Sequence, residues 1–383
     1  MKKSLSVFLA MLMLFSVFAW SVSASDGKTT ADYRYENKFR SARAFYNDFA
    51  IISEKYCPVP GLVNTDVAGD SCSAMTPQGI CVTEDYIFIS AYCNIKKYKT
   101  ELEENKDYGT NSEKLEREAD HKTHNSVIYI IDRESGEYIK NMVLPDANHV
   151  GGLATDGKVI FVAKSADKQV SVIKLTQVER VLNTKSLSVK VKYDFTVDCG
   201  CTASFVTYHD GYLWVGVFNE KNNGELNAFT VNSKDYELTE KYSLEIPAKA
   251  NGACFTEIDG ETCLAVNTSY GRKNVSQVYL FSVSDYATGK MVINEKSRYI
   301  APPLIQNCCI YDGKVYNIFE SAASCYSEVE ADLGMKSTRC AVDRVCIGDE
   351  NKLFNWHCEE NIFALRIKTF INAVSEFFSS LIG

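Results

Sequence analysis

Along most of the chain short apolar runs alternate with brief polar turns, and one unit returns. From Thr76 a small-residue entry leads into an apolar run five times: "TPQGICV", "NHVGGLAT", "CTASFVTY", "ANGACFTE" and "LIQNCCIY". A tight turn follows each, Glu84-Asp85 in the first unit and Asp-Gly beginning at 156, 210, 259 and 312 in the others. A second apolar run comes next: "YIFISAYC", "VIFVAKS", "YLWVGVF", "TCLAVNTS" and "VYNIFES". Runs of this length between turn residues predict strands. Asp-Gly between two of them predicts a hairpin, because glycine takes the positive φ that the turn requires.

The four turn aspartates are spaced by 54, 49 and 53 residues. A period near fifty, with about four strands per unit, is the signature of propeller blades. Further strands are visible as "SVIYIID" and "YIKNMVL" in the first unit, "QVSVIKL" and "SVKVKYDF" in the second, and "SQVYLFSV" in the fourth. The expected fold is therefore all-β, a propeller of five four-stranded blades over residues 49–350. A closing outer strand is expected from "FAIISEKYC". A sixth blade built from both chain ends is the rival count, and a solenoid a more remote one. The first unit is longer than the others because of a charged stretch, residues 94–125, that would overhang one face of the disc. Beyond residue 350 the pattern changes to helical spacing: Phe363, Ile367, Phe370, Ile371, Val374, Phe377, Phe378 and Leu381 make an amphipathic helix over 351–383, expected to dock on the disc.

Residues 1–24 do not belong to this pattern. Lys2 and Lys3, an apolar core and "SVSA" have the layout of a secretory signal peptide, so the expected location is extracellular, with no stable membrane span. Residues 25–48 read as a linker. Losing the leader takes the formal charge from −8 to −10. Such a chain repels phosphate backbones, which excludes nucleic acid as a partner. Fourteen cysteines in an exported chain predict disulfides. "CGC" at 199–201 and the adjacent Cys308-Cys309 are too tight for a zinc knuckle. Cys254 and Cys263 flank a hairpin turn and are candidates to face each other across it. Cys308 and Cys309 are expected to pair elsewhere rather than with each other. Cys325, Cys340, Cys346 and Cys358 are expected to staple the irregular last unit. Asn267 and Asn274 sit in glycosylation triplets that are best read as coincidence.

Propeller geometry sorts candidate chemistry by face. Entries to the inner strands and exits from the second strands share one end of the central channel, where a rigid scaffold positions loop residues. The entries offer Gln78, His149, Thr202, Asn251, Gln306 and Asn307. The exits offer Tyr92, Lys164, Phe218, Asn219, Tyr270, Arg272 and Glu320. Tyr92, Phe218 and Tyr270 would supply apolar contact, and His149, Lys164, Arg272 and Glu320 orientation. His149 and Glu320 are the catalytic candidates, and Arg272 a candidate ion-pair partner for Glu320. The opposite end looks plainer. "GxSxG" is absent, so no nucleophile elbow is present. His121 and His124, in "HKTH", could join His149 in an open zinc site.

The phrases "TPQGI...ISAYC", "HVGGLATDG", "ASFVTYHDGYLWVGVF", "NTSYGR" and "FESAASCY" resemble those of secreted bacterial propellers of unassigned function. More distantly they are similar to gluconolactonase, regucalcin and strictosidine-synthase propellers. The lactonase branch implies calcium in the channel, with Glu320, Asn251 and Asn307 as the candidate ligands. No aspartate stands at a strand entry to complete that set. The expected function is a monomeric binding module for a small molecule, glycan or peptide. The alternatives are a calcium-dependent lactone or ester hydrolase, with His149 as general base, and a protein-interaction scaffold.

Overall fold

A computed structural model describes residues 57–94, 123–272, 274–284, 292–327 and 341–354 of the 383. The leader-like segment, residues 95–122 of the charged stretch with His121 among them, Cys340, Cys358 and, beyond Phe354, the helix expected over 351–383 lie outside the described residues.

Five antiparallel meanders form the propeller. Blade 1 comprises Met75–Val82, Tyr86–Cys93, Val127–Asp132 and Tyr138–Val143; blade 2 comprises Leu153–Thr155, Val159–Lys164, Gln169–Lys174 and Phe195–Asp198. Blade 3 runs through Phe205–His209, Tyr212–Val217, Gly224–Val231 and Leu238–Ile246; blade 4 through Ala250–Ile258, Glu261–Thr268, Ser276–Ser284 and Val292–Ala301. Blade 5 has three strands, Ile305–Tyr311, Lys314–Phe319 and Cys346–Asp349. The inner strand of each blade packs on that of the next, and blade 5 returns to blade 1, so the ring closes at five.

Closure uses the chain's early residues. Val59 N–H donates to Asp343 O at 2.9 Å and Val345 N–H to Cys57 O at 3.0 Å, laying residues 57–59 along the edge of blade 5. This is the described end of the segment expected to supply a closing strand. A hairpin, Thr65–Val67 with Asp70–Cys72, then packs on blade 1, where Thr65 Oγ1 meets the Tyr129 hydroxyl at 2.5 Å.

One strand assignment is corrected. "SVKVKYDF" does not form a single strand of blade 2. Ser188–Lys190 pairs parallel with the outer strand of blade 1, and Phe195–Asp198 closes blade 2. Between them in sequence and the third strand of blade 2 lies a helix, Leu175–Leu182, that buries Val178 and Val181. Its last carbonyls lack N–H donors, and the Lys140 ammonium supplies one, donating to Val181 O and, just beyond the helix, to Thr184 O.

The hairpins follow turn chemistry. At Asp210-Gly211, Asp259-Gly260 and Asp312-Gly313 both residues have positive φ, from 48° to 78°, as a type I′ turn demands. The core lies between blades: Phe88, Ile130, Met142, Ile160 and Val162 pack blades 1 and 2 together, and Phe205, Trp214, Leu226, Leu264 and Val266 pack blades 3 and 4. Each such side chain contributes about 1.5–3 kcal/mol by leaving water.

Small residues at the strand entries have a geometric reason. A Cβ on Gly79 would lie 2.6 Å from Leu153 N, and one on Gly152 would lie 2.7 Å from Phe205 Cα. Backbones of neighbouring inner strands touch there, where the blades converge on the axis.

Candidate functional site at the channel mouth

Three inner strands are bulged at the same level. Strand register shifts between Pro77 and Ile80, between Ala250 and Gly252, and between Ile305 and Asn307. The extra residues are Gln78 with Gly79, Asn251, and Gln306. A bulge breaks the two-residue alternation and re-aims a side chain. Here it turns three amides into the mouth of the channel. Blade 2 contributes His149 and Gly151 just before its inner strand, and blade 3 contributes Ser204.

Together with Tyr92, Ser165, Phe218, Glu320 and Tyr326 these residues line a cavity of about 330 Å³. All five blades take part. A continuous hydrogen-bonded chain crosses it. Gln78 Nε2 donates to Glu320 Oε2 at 3.0 Å and to Pro77 O at 2.8 Å. Both partners are acceptors, so the amide orientation is set and Oε1 faces His149 Nε2 at 2.7 Å. His149 therefore carries its proton on Nε2, and Nδ1 accepts from Ser165 Oγ at 3.0 Å. The Tyr92 ring meets the imidazole edge-on at 4.7 Å.

Electrostatics follow from this enclosure. Burial pushes the His149 pKa down from 6.5 to about 4, so the ring is neutral at physiological pH. The side chain is half-buried, and one edge of the imidazole borders the cavity. Burial first, then the Glu320 carboxylate, pushes the phenols of Tyr92 and Tyr326 well above their ordinary value. Tyr326 also hydrogen-bonds to Glu320, and the Arg272 guanidinium lies 5.5 Å over the Tyr326 ring. Both nitrogens of His149 are committed, and a ring held neutral this firmly is a weak base near pH 7. The site is built to hold hydrogen-bonding groups in fixed directions.

Of the residues read from the sequence, Gln78, Tyr92, His149, Phe218, Asn251, Gln306 and Glu320 converge on the mouth. The others do not line it. Lys164 is buried, but it pairs with Asp146 at 2.9 Å and Asp167 at 3.0 Å. Burial alone would lower its pKa; the two aspartates outweigh that and raise it. Tyr270 is exposed, under the Lys249 ammonium. Arg272 reaches the site through the Tyr326 ring rather than the cavity wall. Asn307 lies between the inner strands of blades 4 and 5, its Oδ1 accepting from Cys308 N–H at 2.7 Å. Thr202 is exposed, and Asn219 Oδ1 accepts from the backbone of its own loop. The proposed zinc grouping also fails: His149 is committed at the mouth, and His124 faces Asp70, Cys72 and Cys93.

Sequence reading missed Gly151, Ser165, Ser204 and Tyr326. It also missed the opposite end of the channel, where a larger cavity of about 650 Å³ is lined by Cys81, Cys254, Cys308, Cys309, Phe255 and Leu153 among others. That cavity is the bigger, but its carboxylates, Glu84, Asp85 and Glu179, belong to turns and to the helix rather than to a connected network. The mouth remains the better-built site.

Among the described residues the expected disulfides are not formed: no two sulfurs lie at bonding distance, and Cys254 and Cys308 Sγ approach to 3.5 Å. Cys340 and Cys358 lie outside the described residues, so the staple expected of them is not tested. The hairpin pair is out of register: Cys254 stands opposite Ala265 and Cys263 opposite Thr256. Cys308 and Cys309 alternate, as neighbours in a strand must, the first toward Cys254 and the second near Cys81.

No family model matches the chain, and no curated protein matches it. Among solved structures, a glutaminyl cyclase from Myxococcus xanthus is similar at 10% identity, over 65% of this chain and 88% of its own, with a TM-score of 0.38. Hydrazine synthase from Kuenenia stuttgartiensis is similar at 10% identity, over 73% and 89%, with a TM-score of 0.32. Neither likeness reaches to chemistry. The propeller rests on the strand pairing itself.

Proposed function

We propose that this protein binds a small polar molecule, or one residue of a glycan or peptide, at the channel mouth. The carrying observation is the Glu320–Gln78–His149–Ser165 chain, set among Tyr92, Phe218 and Tyr326 in a cavity of about 330 Å³. That volume is at the small end for ligand pockets. Fixed polar directions beside aromatic faces suit a ligand that carries hydroxyl or amine donors on an apolar frame. The carboxylate favours donors over anions. The leader-like residues 1–24 support an extracellular setting for this binding.

A calcium-dependent hydrolase is the second reading, and the observation in its favour is that Glu320 and Asn251 share the cavity. Asn307 does not join them, and calcium takes six to eight oxygens. His149, neutral and doubly engaged, is a poor general base. A thermal-shift screen of monosaccharides, amino sugars, amines and short peptides, with and without calcium, separates the two. On the binding reading a ligand raises the melting temperature. Phe218→Ala and Glu320→Gln each weaken it by about tenfold or more, as loss of a 1.4 kcal/mol contact would. Calcium-dependent turnover of a lactone or ester, abolished by Glu320→Gln, would replace this reading with the second.

A further inference from the structure

A second cluster of chemistry lies away from the cavity wall. Cys72 ends the hairpin on blade 1, Cys93 ends the second strand of that blade, and His124 precedes its third strand. The three are buried, and one donor atom from each lies within 4.8 Å of the other two. The Asp70 carboxylate is 3.4 Å from His124 Nε2. His124 Nδ1 is buried and has no hydrogen-bond partner.

We propose that Cys72, Cys93 and His124 bind one zinc-class divalent cation. Two thiolates and an imidazole are the donors such a cation prefers, and they supply three of the four positions of a tetrahedral site. Asp70 takes the place of the outer carboxylate that orients a metal-bound histidine, leaving Nδ1 for the ion. A buried ring nitrogen without a partner is otherwise unfavourable. A disulfide between Cys72 and Cys93 would give the two sulfurs a role but would leave that nitrogen unserved; a cation serves all three groups.

The position gives the ion a structural task. The chain leaves blade 1 at Cys93 and returns at His124, and the connection in between is the longest in the repeat. A cation there ties both ends of it to the hairpin at Cys72.

The test uses the full chain, kept reduced, with zinc ion alone as the titrant and cobalt as a spectroscopic substitute. The expected result is one zinc per chain and a cobalt–thiolate absorption band in the near ultraviolet. Cys72→Ser and His124→Gln should each weaken zinc binding at least about hundredfold, and Asp70→Asn by about ten- to hundredfold. His149→Gln should bind zinc as the wild type does. His124→Gln removes no thiol, so it tests the cluster even where a cysteine variant fails to fold. Wild-type zinc affinity in His124→Gln would overturn the proposal. So would absence of stoichiometric zinc, or a Cys72–Cys93 disulfide in the native protein found by peptide mapping.

Discussion

His149 makes stability depend on pH in a direction fixed by its surroundings. Burial lowers its pKa from 6.5 to about 4 in the folded chain. As pH falls, the unfolded chain takes up the proton first. The contribution of the neutral ring is thus complete above pH 6.5 and is lost between 6.5 and about 4. At full protonation this gap corresponds to about 3 kcal/mol, and about 2.5 kcal/mol of it is already lost at pH 4.5. Contact of the ring with the open cavity trims these figures. Other groups titrate over the same range, so the wild type alone is uninformative. The comparison is with His149→Gln, which keeps a donor and an acceptor but has no proton to take up. Urea unfolding followed by tryptophan fluorescence, with Trp214 fully buried between blades 3 and 4, reports both proteins at pH 7.5 and 4.5. The wild type should lose about 2 kcal/mol more than the variant. Equal losses would refute the reasoning. A smaller loss in the wild type would mean that Glu320, acting through Gln78, favours the imidazolium over the neutral ring.

Two further substitutions test the scaffold around the mouth. In Gly152→Ala the new Cβ would meet Phe205 Cα and Val206 N at 2.7 Å, and backbone cannot rotate aside. The expected cost is about 2–3 kcal/mol, read as a melting temperature lower by several degrees; an unchanged melt would show that the inner strands are not in contact there. Lys164→Met should cost about 1–2 kcal/mol, since Asp146 and Asp167 lose their shared cation but are exposed enough to rehydrate. It should leave affinity for any ligand found in the screen unchanged. A loss of affinity without loss of stability would return Lys164 to the site.

The blades were legible because their signals are local. Asp210-Gly211, Asp259-Gly260 and Asp312-Gly313 announce tight turns whatever surrounds them, and the apolar runs on either side announce strands. The mouth was legible only where a residue's place in the repeat decided its direction. Gln306 and Asn307 show the limit. One extra residue at the bulge reverses the alternation, so Gln306 faces the cavity and Asn307 is turned between strands. Nothing in "LIQNCCIY" marks which of the two is the bulged one. Tyr326 follows the last regular run, on the short helix Ser324–Ser327, where no repeat position predicted it. Tyr270 and Arg272 were expected at the mouth because they follow a strand, but the loop after Thr268 carries them beyond the cavity wall. Cys72, Cys93 and His124 were illegible as a set, because long stretches of chain separate them and only the folded hairpin brings the first to the other two.

Placing the amides on bulges separates the chemistry of the mouth from the packing of the disc. A bulged residue sits outside the ladder, so substitutions of the side chains at 78, 251 and 306 leave the ladder's backbone hydrogen bonds in place. The glycines next to two of them have no such freedom. Gly79 abuts Leu153 N, and a Cβ on Gly252 would lie 2.9 Å from Asn307 Cα. Each bulge therefore pairs a position that answers to a ligand with one that answers to the neighbouring blade. Within a few residues of the axis, binding and folding are assigned to different side chains, and substitutions at 78 and at 79 should fail in different assays.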